Sequence, residues 1–290
     1  MSHDLPTFQQ NNILAIFFML LTGACMVAVM VTLRYTDESL PSIQVAFIRY
    51  LFGLVIIFPF AISELKVRNL KIPIVQHGIR GTLHGFGVVL WFYSVSQIPL
   101  SEVTAISYLT PIFTTIGAIV LFNERLTKQR SLAIITAIIG AILILKPGLE
   151  VISSGKSAQL LSTLLFAASY LITKILTKTE GIFLIVLMLN FFATITLLPF
   201  ALMSWITPSM YDLGLLLAIA ILATFGHYFV TTAVALAPLS VTQPVIFLQL
   251  IWSTLIGLLI FGEPVDFLII IGGGFIVFAI TQLAYSEKKM

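Results

Sequence analysis

Along the chain, apolar runs of about 17 to 25 residues alternate with short polar or Pro/Gly-containing breaks, and that is the length that crosses about 30 Å of hydrocarbon as helix. Ten such runs predict ten transmembrane helices, at roughly 12–33, 42–63, 74–96, 100–122, 129–146, 158–177, 182–204, 211–234, 240–261 and 265–285. A closed β-barrel would need shorter segments of alternating polarity, so the expected fold class is an all-α membrane protein with almost no soluble part. Residues 1 to 11 carry no Lys or Arg. The basic region of a cleavable leader is therefore missing, and the first run is expected to persist as a span.

Composition strengthens this picture. Hydrophobic residues are 59% and charged residues 9% of the 290 positions, with a mean hydropathy of +1.09, against roughly 25% charged residues in soluble domains. With the amino terminus inside, most loop Lys and Arg residues fall in the cytoplasm, among them Lys66, Arg68, Lys71, Arg125, Lys128, Arg130, Lys174, Lys178, Lys288 and Lys289. Arg34, Lys146 and Lys156 flank the outer ends, and both termini are expected in the cytoplasm. The net charge of +3 is then a topology signal spread over short loops, and nucleic acid is excluded as a partner. Cys25 is the single cysteine, so no intrachain disulfide or thiolate metal site is possible, and it is read as a small apolar filler.

The chain also reads twice. Pro99-Leu100-Ser101 through Phe122-Asn123-Glu124 is echoed by Pro238-Leu239-Ser240 through Phe261-Gly262-Glu263 at an offset of 139 residues. The same offset places Gly87 on Gly226, and an offset of 140 places Phe52 on Phe192 and Pro59-Phe60-Ala61 on Pro199-Phe200-Ala201. Two five-span halves follow, 12–146 and 158–285, and the odd number of spans inverts the second half relative to the first. Glu124 and Glu263 each end a span where a helix amino terminus stabilises a carboxylate, so both are read as scaffold. Ala133, Ala137 and Ala141 on span five and Gly272-Gly273-Gly274 on span ten form small-residue ridges for helix packing.

The ordered clusters Phe47-Ile48-Arg49-Tyr50, Arg80-Gly81, Leu90-Trp91-Phe92-Tyr93-Ser94, Ile98-Pro99-Leu100-Ser101 and Phe122-Asn123-Glu124, set in duplicated five-span halves, resemble the drug/metabolite transporter superfamily and, within it, the EamA family. The likeness covers about residues 12 to 285. The Arg-Gly and Trp-Phe-Tyr arrangement is similar to members that take up S-adenosylmethionine. The resemblance implies a multi-pass protein of the bacterial inner membrane that moves a small solute by alternating access, with no cofactor.

Charge inside hydrocarbon costs about 2.5 to 3.5 kcal/mol on insertion scales, so an intramembrane Arg faces a cavity or a partner. Arg49 and Arg80 each lie about eight residues inside a span, roughly 12 Å deep. Neither survives in the second half, where Leu189 and Ile219 stand. One reading is that they bind a substrate carboxylate through the guanidinium fork; the other is that they bond helix carbonyls or snorkel to an interface. His77, Arg80, His84 and Trp91 share a stripe of span three, with His77 expected at a solvated interface. His227 falls on the corresponding stripe of span eight.

Span four presents Ser101, Thr104, Tyr108, Pro111 and Thr115 on one face, and span nine presents Ser240, Gln243, Phe247, Leu250 and Thr254. The expected substrate-binding set is Arg49, Arg80, His84, Trp91, Tyr108, Gln243 and Phe247. An aromatic cage of Trp91, Tyr93 and Tyr108 would hold a sulfonium or ammonium by cation–π attraction, although Trp and Tyr also serve as interface anchors. Glu102, His84 and His227 are the candidates for proton coupling, since no acid lies deep in a span. Metal binding has no clustered acids or thiolates to support it, and no nucleophile with its base points to an enzyme.

The expected partners are a small zwitterionic or anionic metabolite, amino acid or S-adenosylmethionine-like, the lipid bilayer, and protons or a counter-substrate, in a monomer or homodimer. An exporter of amino acids or drugs is the alternative within transport. A non-transporting membrane assembly protein is the alternative outside it.

Overall fold

The computed structural model describes residues 11–67, 72–122, 127–146, 152–176, 180–237 and 239–287. Expectations placed on Arg68, Lys71, Glu124, Arg125, Lys178, Pro238, Lys288 and Lys289 lie outside these residues, as do the side chains of Lys66, Arg130, Lys174, Ser240, Gln243 and Phe247. The described residues form eleven helices: α1 (Asn12–Leu33), α2 (Ser42–Val67), α3 (Ile74–Gln97), α4 (Leu100–Ser107), α5 (Thr110–Phe122), α6 (Lys128–Leu145), α7 (Ser154–Leu176), α8 (Ile182–Met203), α9 (Met210–Leu236), α10 (Leu239–Phe261) and α11 (Phe267–Glu287).

Eleven helices make ten spans because the fourth is broken. Pro111 has no N–H to offer the Ser107 carbonyl and disfavours helical backbone just before it. The chain tightens there, with Tyr108 N–H donating to Ala105 O at 3.3 Å and Leu109 N–H to Ile106 O at 3.0 Å. α7 stitches the break, since Gln159 Nε2 donates to Ser107 Oγ at 2.9 Å. The sixth span begins at Ser154, four residues ahead of its hydropathy boundary at 158. Lys156 made that turn read as loop, yet it is buried and lies 3.4 Å from Glu102 of α4.

Under the repeat, α1 matches α7, α2 matches α8, α3 matches α9, α4 with α5 matches α10, and α6 matches α11. Packing follows this inverted correspondence. The most extensive contacts are α1 on α9 and α3 on α7, which are images of one another, followed by the self-matched pairs α6 on α11 and α2 on α8. The halves are thus interlocked, each lending helices to the other.

The matched glycines explain the two crossings. A Cβ on Gly87 of α3 would run into Phe166 of α7, and one on Gly226 of α9 would run into Met26 of α1. At the α6–α11 crossing, Ala133 and Ala137 are fully buried and a Cβ on Gly140 would strike the Gly272 carbonyl. The small-residue ridges therefore serve the internal scaffold, where backbones must come close without help from the hydrophobic effect. Large apolar side chains such as Phe58, Ile135 and Leu259 remain exposed, as a lipid-facing surface requires.

Among the described residues, five helical segments are long and apolar enough to cross a membrane: Asn12–Leu33, Ser42–Ile62, Leu100–Leu121, Ile182–Met203 and Met210–Val230. α3 and α7 are not among them. These two polar helices pack on each other, which concentrates the side chains least suited to lipid in one place inside the bundle.

Candidate functional site

The polar side chains of α2, α3, α7 and α9 converge. On α3, Arg80, His84 and the Gly87 carbonyl lie one above the other at helical spacing, and α7 answers each with a hydroxyl. Thr173 Oγ1 accepts from Arg80 Nε at 2.7 Å, Ser169 Oγ pairs with His84 Nδ1 at 3.3 Å, and Ser162 Oγ donates to Gly87 O at 2.8 Å. Arg80 Nη1 also donates to Ile185 O of α8 at 2.8 Å. Arg80 is therefore held by two helices.

His84 reaches across the bundle. Its ring lies 5.6 Å from that of His227 on α9 and 4.8 Å from Phe166 on α7. α3 and α9 are the matched third spans of the two halves and do not pack closely on each other. The two imidazoles span the gap between them.

Arg49 is engaged differently. It is 4% exposed, and its guanidinium carbon sits 4.2 Å from the ring centre of Tyr50, a cation–π stack. Its Nη1 finds no hydrogen-bond partner among the described residues, and neither does the hydroxyl of Tyr50. No carboxylate among the described residues pairs with Arg49 or Arg80, and every described Asp and Glu falls at a helix end or in a loop. Two buried cations thus share an interior without a counter-ion among the described residues. Tyr170 of α7 lies near both Tyr50 and Arg80 and keeps 44% of its surface exposed.

The remaining expected residues lie elsewhere. Trp91 is partly buried and rests on Phe92, while Tyr93 is exposed and its hydroxyl meets Ser154 Oγ at 3.0 Å. Tyr108 is buried at the break between α4 and α5. Glu102 is buried beside Lys156 at the end of the bundle that carries Arg34, which makes it one half of an ion pair. His77 corrects an expectation: it is 0% exposed, and neither ring nitrogen meets a partner among the described residues. The close packing of α3 on α7 and α8 covers the turn that hydropathy placed at a solvated interface.

Sequence reasoning missed Tyr50, Ser169, Tyr170 and Thr173. A signal was present on α7, where Ser162, Ser169 and Thr173 recur at helical spacing, but single hydroxyls in a membrane helix usually bond their own backbone. The expected role of Glu263 as scaffold takes an unexpected form. Its Oε2 accepts the Leu100 N–H of α4 at 2.9 Å, so it caps a helix of the other half, and its Oε1 lies 2.6 Å from Arg34 Nη1.

The EamA-like transporter family matches residues 13–146 and 153–285, nearly the whole chain. The chain belongs to the EamA-like transporter family. Among the relatives of this EamA-like transporter, the S-adenosylmethionine uptake transporter of Rickettsia prowazekii (strain Madrid E) is 30% identical over 88% of this chain and 87% of its own. A riboflavin transporter of Brucella anthropi is 28% identical over 78% and 82% of the two chains, and a pseudopaline exporter of Pseudomonas aeruginosa is 23% identical over 88% and 90%. A solved crystal structure 14% identical in sequence shares the fold with a TM-score of 0.61 over 96% of both chains. This EamA-like protein is a multi-pass transporter of the bacterial inner membrane for a small-molecule solute, and it is not an enzyme.

Proposed function

We propose that this transporter carries a small zwitterionic or anionic metabolite of the amino acid or S-adenosylmethionine type, by alternating access of a central site. The observation that carries the reading is the pair of buried guanidinium groups, Arg49 and Arg80, with no carboxylate beside them and with Arg49 Nη1 unpartnered. A buried cation is stable when an anion completes it. A solute carboxylate would do so with short, charge-assisted hydrogen bonds.

The interlocked inverted halves supply the movement. Rocking one against the other opens the site to each side in turn. His84 and His227 are the candidates for proton coupling, and Glu102 would act through its pair with Lys156. The names of the relatives support this class of solute, since one is a carrier of S-adenosylmethionine. They also keep export in view, because another is named an exporter.

The test is uptake and efflux in proteoliposomes with radiolabelled S-adenosylmethionine, a panel of amino acids and riboflavin, with and without a pH gradient. Saturable transport of a carboxylate-bearing member is the expected result. Transport of riboflavin alone, or of no member of the panel, would overturn the proposal.

A further inference from the structure

The two intramembrane arginines are not equivalent. Two nitrogens of the guanidinium of Arg80 are bonded, Nε to Thr173 and Nη1 to Ile185 O. That of Arg49 is stacked on the Tyr50 ring and leaves Nη1 open. Tyr50 is 0% exposed, and its own hydroxyl is open too. A buried phenol without a partner is costly and is ordinarily avoided. Two unpartnered polar groups on neighbouring residues, one a cation and one a neutral donor, are what a single carboxylate would satisfy.

The repeat adds an independent sign. At the offset of 140, Arg49 falls on Leu189 and Tyr50 on Asn190. Asn190 is buried as well, and its Oδ1 has no partner among the described residues although its Nδ2 bonds Val186 O of its own helix. The matched positions of α2 and α8 thus both turn a polar group inward. Only the first repeat adds the arginine.

We infer that Tyr50 is a substrate-contacting, specificity-determining residue, whose phenol joins Arg49 in holding the solute carboxylate, while Arg80 is a positioning residue that tethers α3 to α7 and α8. This rests on the reading of the protein as a carrier of carboxylate-bearing solutes. It goes further by dividing the labour between the arginines and by adding a residue that binds through a neutral O–H. Such a donor favours a carboxylate over a carboxamide, because the phenol O–H gains most from a charged acceptor.

Tyr50→Phe is the discriminating variant. It removes one hydroxyl that has no structural partner, so folding is expected to be unchanged or slightly improved. The probe is whichever radiolabelled member of the proteoliposome panel is transported, with its own carboxamide as competitor. Loss of one hydrogen bond to a charged group is expected to raise KM about tenfold at nearly constant kcat, to shrink the preference for carboxylate over carboxamide, and to leave the Tm of the solute-free protein in detergent at or above wild type. Arg80→Lys is expected to lower Tm while keeping the carboxylate preference.

An unchanged KM in Tyr50→Phe, a fall in its Tm, or equal loss of carboxylate preference in Arg49→Lys and Arg80→Lys would overturn the inference and leave the carrier reading standing. Failure of every panel member to be transported would overturn both.

Discussion

Arg34 and Arg49 are both arginines inside a membrane protein, and their surroundings could hardly differ more. At the Arg34 end, Nε donates to Val95 O at 2.8 Å, Nη2 to Ile98 O at 2.6 Å, Nη1 meets Glu263 at 2.6 Å, and the guanidinium lies 5.1 Å from the Phe261 ring centre. Each nitrogen has work within the protein, and Glu263 in turn caps α4. In the middle of the bundle, Arg49 has an aromatic neighbour and an open nitrogen. A saturated arginine joins helices. An unsaturated one waits for something from outside the chain, because leaving a buried cation uncompensated costs several kcal/mol.

The comparison breaks most visibly at the saturated end. Arg34→Gln strands Glu263 in a half-buried position and is expected to lower stability by about 3 to 5 kcal/mol, read as a lower Tm in detergent. The double variant with Glu263→Gln should recover part of the loss, because no unpaired charge then remains. A wild-type Tm for Arg34→Gln would show that the contact is not structural.

Next in size is the open end. Arg49→Gln is expected to leave the Tm of the solute-free protein at or above wild type while kcat/KM for the transported solute falls about a hundredfold, the loss of a charged donor to a carboxylate. Equal effects on Tm for Arg34→Gln and Arg49→Gln would erase the contrast. The Tyr50→Phe variant, with its smaller change in KM, sharpens it by testing the neutral partner.

The smallest effect belongs to the Lys146–Asp266 pair, which fastens the end of α6 to the start of α11. Burial alone would raise the Asp266 carboxyl, but hydrogen bonds from Lys146 and from the N–H groups of Leu268 and Ile269 outweigh it and hold the group below its ordinary range. A carboxyl lowered on folding adds stability above its unfolded value, near 3.9, and that stability fades as pH falls through the folded value. Asp266→Asn is therefore expected to cost less than about 1 kcal/mol at pH 7 and to flatten the decline in Tm below about pH 4. An unchanged acid limb would show that the pair contributes nothing.

The span pattern was legible because lipid imposes one requirement everywhere: each crossing must be a helix long enough to bond its own backbone. The pairing of Gly87 with Gly226 was legible because duplication preserved it. The break at Tyr108 was half legible, since Pro111 shows that a carbonyl must be freed but not that Gln159 of α7 would meet the loose turn. His77 was misplaced because depth counted along one helix ignores the neighbours that cover it.

Within the candidate site, Arg49, Arg80, His84 and His227 stand out in the sequence as charges and imidazoles where apolar residues belong. Tyr50 does not, because a tyrosine in a membrane span has many ordinary uses.

By itself, then, the sequence determined the number of spans, their inversion and the four polar residues that lipid would not tolerate, all of which follow from the local cost of placing polar groups in hydrocarbon. Only the tertiary structure decided which of those groups were already satisfied. Hydrogen-bond saturation depends on what residues distant in sequence bring within about 3 Å: Thr173 and Ile185 engage two nitrogens of Arg80, Glu263 completes Arg34, and no partner among the described residues meets Arg49 Nη1 or the Tyr50 hydroxyl.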